Sequence, residues 1–256
     1  MRFRSIVPAI LVLALGTALP AQADWLKPSK ADQVKLGQRA AEDIRKKEKV
    51  LPATDWRVET LRRIASKLLH ALPAGAKKEP WQYSFDVIDS KEINAFALPG
   101  GPVFFYTGLF DLLKTEDQVA GILAHELTHV RKEHWASAYA DYQRRQLGLT
   151  AILIFLQPND TLTNVLSIGN DLILGLPYSR RNETEADEMG VDLMAEAGYN
   201  PEGLADSFRT LQEKSKGQNA PEFLSTHPDD KNRIQKIQDR AAKMHRTFPP
   251  QTPLKG

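Results

Sequence analysis

Cysteine is absent from this 256-residue chain. Disulfide bonds and a lipid-modified N-terminal cysteine are therefore excluded, and an exported chain of this kind needs no oxidising machinery. Charge of one sign is also absent: 34 lysines and arginines stand against 32 aspartates and glutamates. Setting aside the first 23 residues, which contain Arg2 and Arg4 and no acid, leaves 32 of each. A balanced chain offers no footprint for nucleic acid. The doublets Arg62-Arg63 and Arg144-Arg145 read as solvated helix faces. No internal repeat is present, and the N-terminal stretch carries no twin-arginine pair. No apolar run reaches the length of a standard membrane span.

What is present begins with a leader-like N-terminus. Met1-Arg2-Phe3-Arg4 is a basic start, residues 6–19 are apolar, and Ala21-Gln22-Ala23 is a small-x-small cleavage signature. The run is short and interrupted by Pro8 and Gly16, so removal after Ala23 is expected, with an uncleaved anchor as the alternative. This divides the chain into a signal peptide (1–23), a catalytic domain (24–246) and a flexible tail (247–256) with three prolines. Export to a periplasm follows from that reading, with secretion or anchoring as alternatives.

Between leader and tail the pattern is mainly helical. Residues 30–49 form a polar amphipathic helix. Residues 55–71 form a second, with Thr54 as a candidate cap and Val58, Leu61, Ile64, Leu68 and Leu69 as its buried side. Residues 81–87, 93–98 and 103–106 read as strands, and Pro99-Gly100-Gly101-Pro102 as a turn. Residues 201–212 and 229–243 complete the helices. Two apolar stretches, 147–156 and 162–176, read as buried helices; a lid over a cleft or a surface resting on a membrane are the sharper alternatives.

Six histidines occur in the whole chain, and two of them carry the strongest signal. Residues 121–129 contain His125-Glu126-Leu127-Thr128-His129, an H-E-x-x-H pattern. Thr115 and Gln118 form a capping box ahead of it, and Val119, Ile122, Leu123, Leu127 and Val130 recur at helical spacing. On a helix, residues four apart leave the same face, so both imidazoles can meet one zinc ion. Glu126, between them, can take a proton from metal-bound water. The bland alternative is two surface histidines; the cap and buried stripe count against it. His70, His134 and His245 lack a partner at ligand spacing and read as structural or surface residues.

A catalytic zinc needs a third protein ligand. Residues 178–190 read as a helix in which Glu183 and Asp187 lie four apart on one face, with small Ala186 and Gly190 beside them. One carboxylate can bind metal and the other can fix a histidine tautomer. Glu185 and Glu188 read as solvated.

These motifs resemble those of metallopeptidase family forty-eight, the gluzincins. The family pairs H-E-x-x-H with a later E-x-x-x-D, matched by Glu183 and Asp187 with Ser179-Arg180 ahead of them. Asn94-Ala95-Phe96-Ala97-Leu98-Pro99-Gly100-Gly101 resembles its substrate-facing edge strand. Ser225-Thr226-His227-Pro228 with Arg233-Ile234 resembles its C-terminal histidine motif. The resemblance covers residues 30–243. The chain differs from some members in carrying no helical repeat array and from others in lacking several membrane spans. It implies an α+β, mainly helical zincin-like domain with a small antiparallel sheet beside the H-E-x-x-H helix. It further implies one Zn2+ per chain on His125, His129 and Glu183, with Asp187 and Arg233 in support. Glu126 is the base, His227 the oxyanion stabiliser, and Asn94 and Ala95 the strand that pairs with substrate.

The function implied is zinc-dependent endopeptidase action on misfolded or envelope proteins. The polypeptide is the partner, with contact to the membrane periphery or envelope proteins as a further expectation. A holdase or assembly factor with an occluded site is the alternative. A zinc hydrolase acting on something other than peptides is weaker, since an edge strand suits a polypeptide.

Overall fold

The computed structural model describes residues 26–156, 174–216, 221–228 and 232–254, with side chains of 147–156 left aside. The proposed signal peptide and most of the second apolar stretch lie outside the described residues. Among those described, no helix is long and apolar enough to cross a membrane.

The elements, in chain order, are α1 (Lys30–Lys47), α2 (Trp56–Ala71), β1 (Ser84–Ile88), β2 (Ala95–Ala97), β3 (Pro102–Tyr106), α3 (Thr107–Leu112), α4 (Glu116–Arg131), α5 (His134–Leu156), α6 (Arg180–Glu196), α7 (Glu202–Ser215), a single turn α8 (Phe223–Thr226) and α9 (Arg233–Ala242). Helix α4 is the centre. It packs on α6, α7, α2 and strand β2. Every residue from Asp117 to Val130 is buried, so α4 is covered all round rather than along the single stripe its periodicity suggests.

Local chemistry fixes where α4 starts. Thr115 Oγ1 accepts from Gln118 N at 3.2 Å, and Gln118 Oε1 accepts from Thr115 N at 3.2 Å. This is the reciprocal cap expected from the sequence. Two glycines let α4 and α7 approach closely. A Cβ on Gly121 would lie 2.7 Å from Leu204 Cα, and one on Gly203 would lie 2.5 Å from the Asp117 carbonyl. Helix α6 ends in a Schellman motif, with Gly198 at φ 77° and Tyr199 N donating to Met194 O at 2.9 Å. The cap of α2 is Asp55, whose side chain accepts from Arg57 N at 2.9 Å. Thr54, the candidate from sequence, lies one residue too early.

The sheet has the order β1-β3-β2 and is mixed, which corrects the antiparallel expectation in one pair. β2 and β3 are antiparallel, but β1 runs parallel to β3. The chain leaves β1, forms β2 at the far edge, and returns between the two through the tight turn at Gly100 (φ 81°) and Gly101 (φ 135°). Strand periodicity reports which residues alternate and not which neighbour a strand takes.

The tail is another correction. Instead of hanging loose, residues 249–254 run along the start of α4. Glu116 N donates to Thr252 O at 2.8 Å, Leu254 N to Lys114 O at 2.8 Å, and Thr252 N to Asp117 Oδ2 at 2.7 Å. Prolines stop helix and sheet, yet an extended proline-rich strand still offers carbonyls to the unpaired amides of a helix N-terminus.

Candidate metal centre and cleft

Three helices and one loop bring the candidate residues together. His125, Glu126 and His129 come from α4, Glu183 and Asp187 from α6, Arg233 from the start of α9, and His227 from the loop that begins where α8 ends. All seven are buried. The approach of α6 to α4 depends on Gly190, where a Cβ would sit 3.3 Å from His125 N.

Donor atoms of His125, His129, Glu183 and His227 lie within 4.8 Å of one another. His125 Nε2 is 2.9 Å from His129 Nε2 and 3.5 Å from Glu183 Oε2, and His129 Nε2 is 3.5 Å from Glu183 Oε1. Ligand atoms about 2.0–2.2 Å from a tetrahedral zinc are about 3.3–3.6 Å from each other. The two imidazole–carboxylate spacings of 3.5 Å match that range, the imidazole pair at 2.9 Å is closer, and the nitrogen–nitrogen–carboxylate chemistry fits zinc. His227 joins the same cluster, with Nδ1 3.2 Å from both His125 Nε2 and Glu183 Oε1.

Each donor is held from behind. His125 Nδ1 donates to Asp187 Oδ1 at 2.9 Å, which leaves Nε2 as a lone pair facing the cluster. Asp187 is held in turn by Arg233, through Nε at 2.7 Å and Nη2 at 2.8 Å. The same guanidinium reaches Glu183 Oε2 at 2.9 Å and lies over the Phe208 ring at 3.6 Å. Arg233 thus braces both carboxylates of α6. Tyr178 stacks on His129 with ring centres 4.0 Å apart, and Phe223 on His227 at 4.4 Å.

Sequence reasoning missed His134. Its Nδ1 lies 3.0 Å from His129 Nδ1, and its Nε2 lies 3.4 Å from Glu185 Oε2, while Oε1 of that carboxylate pairs with Lys132 at 2.7 Å. Glu185, read as a solvated residue, is thus the outer end of a chain behind His129. The signal was there: His134 opens α5 five residues beyond His129, but the two lie on different helices, so helical spacing could not relate them.

Burial sets the electrostatics. It pushes Glu126 up to about 7, against the pull of His227 and the Ala97 amide. For Glu183 burial acts upward too, but His227 and His125 hold it far below the usual carboxylate range. Burial and then His125 keep His129 neutral. Neither carboxylate oxygen of Glu126 has a well-aligned hydrogen bond; His227 Nε2 lies 3.3 Å from Oε1.

Glu126, Tyr178 and His227 line one wall of a cleft of about 570 Å³, with Asn94, Phe96 and Ala97 on another. Strand β2 is the sheet edge there. Tyr106 N donates to Asn94 O, and Leu98 N to Pro102 O. By antiparallel alternation, Asn94, Phe96 and Leu98 turn their backbone groups to β3, and Ala95 and Ala97 turn theirs outward. Of the two strand residues expected from sequence, Ala95 turns its backbone groups away from β3 but is itself fully buried and does not line the cleft, whereas Ala97 does. The Asn94 carbonyl is spent inside the sheet, and its side chain lines the cleft.

Comparison with known proteins agrees with this geometry. Residues 55–241 match peptidase family M48. The metalloprotease LoiP of Escherichia coli K12 is 30% identical over 81% of this chain and 80% of its own length. The mitochondrial metalloendopeptidase OMA1 of Schizosaccharomyces pombe is 34% identical over 68% of this chain and 51% of its own. The beta-barrel assembly-enhancing protease of Escherichia coli K12 is 30% identical over 67% of this chain. The chain spans only 36% of that relative's length and about half of OMA1's. With a match across most of its length and the metal-binding motifs brought into one cluster, the chain belongs to peptidase family M48.

Proposed function

We propose that this protein is a zinc-dependent metalloendopeptidase that cuts extended polypeptides. One observation carries the reading: a buried carboxylate without a well-aligned hydrogen bond, Glu126, stands beside a zinc-type donor set in the wall of a cleft that is also lined by the sheet's edge strand β2. His125, His129 and Glu183 would hold the ion. When bound, zinc polarises the scissile carbonyl and lowers the pKa of the attacking water toward about 7. Glu126 takes the proton from that water and passes it to the leaving amine. Strand β2 is an edge of the sheet and Ala97 lines the cleft, so the substrate lies as an added strand beside β2. His227 Nε2, on the cleft wall, is placed to donate to the oxyanion.

The leader-like N-terminus supports export to a periplasm. One relative is named for enhancing β-barrel assembly, and envelope polypeptides are the substrate class proposed here, misfolded chains among them. The position of His227 Nδ1, 3.2 Å from Glu183 and His125, favours a second reading. There the imidazole serves as a fourth donor, closing the site at rest, and the protein acts as a holdase of low turnover.

Peptides released from an envelope extract by the wild type and by Glu126→Gln decide between them. Loss of roughly 10²–10⁴-fold in turnover with zinc retained supports the peptidase. Equal release by both proteins sinks it, and binding without cleavage by either supports the holdase.

A further inference from the structure

Tyr178 stands in the wall of the cleft with Glu126 and His227, and the proposed chemistry leaves its hydroxyl unused. It is the residue before Ser179, the N-cap of α6, whose side chain accepts from Asn182 N at 3.2 Å. Glu183 lies about one turn further on. The start of one helix therefore places both the third metal donor and this phenol. The ring is held from the side of the metal centre. It stacks on His129 with 23° between the planes, and its centre is 5.6 Å from that of His227. Among the described residues the hydroxyl has no hydrogen-bond partner.

The neighbouring imidazoles are committed. His227 Nε2 is 3.3 Å from Glu126 Oε1, and its Nδ1 is 3.2 Å from both Glu183 Oε1 and His125 Nε2. His125 Nδ1 is taken by Asp187, and His129 Nδ1 by His134. The phenol is thus the donor on that wall whose proton is not already engaged. An ordinary phenol, with a pKa of about 10, is neutral at pH 7 and can donate. Burial and then the charges of Glu126 and Glu183 push this one higher still. Those two carboxylates are the proposed base and the third metal donor, so the oxygen lies within their reach, on the side where the substrate reacts.

We propose that the Tyr178 hydroxyl is a second donor to the oxyanion of the substrate, beside His227. The inference rests on the peptidase reading, which supplies the scissile carbonyl. As the water oxygen bonds to the carbonyl carbon, the π pair moves onto the carbonyl oxygen, and Glu126 takes the proton from the water. Negative charge grows on that oxygen, where a donor already in place gives more than it gives to the ground-state carbonyl. The phenol shares its proton without losing it, because the leaving amine receives its proton from Glu126. The stack on His129 holds the ring before substrate arrives, so little reorganisation is needed during the reaction.

The test is Tyr178→Phe, which keeps the ring on His129 and removes only the hydroxyl, in the full-length, zinc-loaded protein. With unfolded casein as substrate, kcat should fall by roughly 10²–10³-fold, the usual loss for one oxyanion donor, with KM nearly unchanged. Binding gives a readout independent of turnover. A phosphinic peptide carries a tetrahedral anion that stands in for the oxyanion, and the amide peptide of the same sequence does not. In the Glu126→Gln background, adding Tyr178→Phe should weaken the phosphinic peptide by at least about tenfold and the amide peptide by less than about twofold. Zinc affinity, measured by chelator competition, should stay the same, and circular dichroism checks the fold. Equal loss for both peptides, or loss of zinc, returns Tyr178 to packing against His129 and overturns the proposal. So does a Tyr178→Phe protein that matches its parent in kcat and in phosphinic affinity. If the wild type cleaves no casein, the peptidase reading fails, and the two peptide affinities still decide whether the phenol meets a tetrahedral anion.

Discussion

The Nδ1 atoms of His129 and His134 lie 3.0 Å apart. Two imidazole nitrogens at that distance share one proton, and it must sit on His129 if His129 Nε2 is to face the metal cluster as a lone pair. His134 Nδ1 then accepts, and its Nε2–H points to Glu185. The arrangement does for His129 what Asp187 does for His125.

Replacing His134 with leucine should therefore weaken zinc binding by about 10–100-fold, the range seen when partners behind a ligand are lost. Competition with a chromophoric chelator measures it. His134→Gln, which can still accept, should recover part of the affinity. Equal affinity in wild type and His134→Leu would show the contact to be packing alone.

Metal removal should destabilise the fold as well as stop turnover. The site crowds three imidazoles and three carboxylates between α4, α6 and α8, and a ligand bound only to the native state stabilises it by mass action, about 4 kcal/mol at a thousandfold excess over Kd. Chelation should lower Tm in a zinc-reversible way. His227→Ala should leave most of that shift in place while lowering kcat and kcat/KM together, by about tenfold per 1.4 kcal/mol lost. A His227→Ala protein that unfolds without a specific catalytic defect would return that residue to a packing role.

Gly121→Ala probes the crossing of α4 and α7. The new methyl would meet the Leu204 backbone at 2.7 Å, where nothing flexible can yield. Overpacking of this kind typically costs about 1–3 kcal/mol, against the gain in helix propensity that alanine would bring at an open site. Denaturant melts should show the loss; a stabilised variant would mean that α4 and α7 slide apart readily.

Asp117 ties the tail to the core. Its carboxylate accepts from Asn200 N and from Thr252 N, each at 2.7 Å. Asp117→Ala should strand two amides at a cost of about 1–3 kcal/mol each, less whatever water recovers. Truncation after Pro249 should reproduce part of the loss, read as a lower midpoint in urea. Unchanged stability on truncation would mean that the tail merely rests on α4.

How much of this was legible in the chain differs element by element. The α4 cap was, because Thr115 and Gln118 act on each other within one turn. The turn at Gly100-Gly101 was, because only glycine adopts those angles without strain. The mixed sheet was not: β1 and β3 share no local signal, and their parallel pairing follows from β2 taking the far edge. The tail was misread because proline content reports what backbone cannot do and says nothing of what an extended segment can bond to.

The sequence by itself determined the metal chemistry. Two histidines at i and i+4 with a glutamate between them, and two carboxylates at i and i+4, fix their relative directions through helix geometry alone, wherever those helices are placed. Only the tertiary structure decided which partner stands behind each ligand, where His227 comes to rest, and which side chains border the cleft. Apart from the His129–His134 pair, those are contacts across 44 to 135 residues of chain, set by close approaches such as Gly190 against His125 and Gly121 against Leu204. They depend on packing, to which periodicity along the chain is blind.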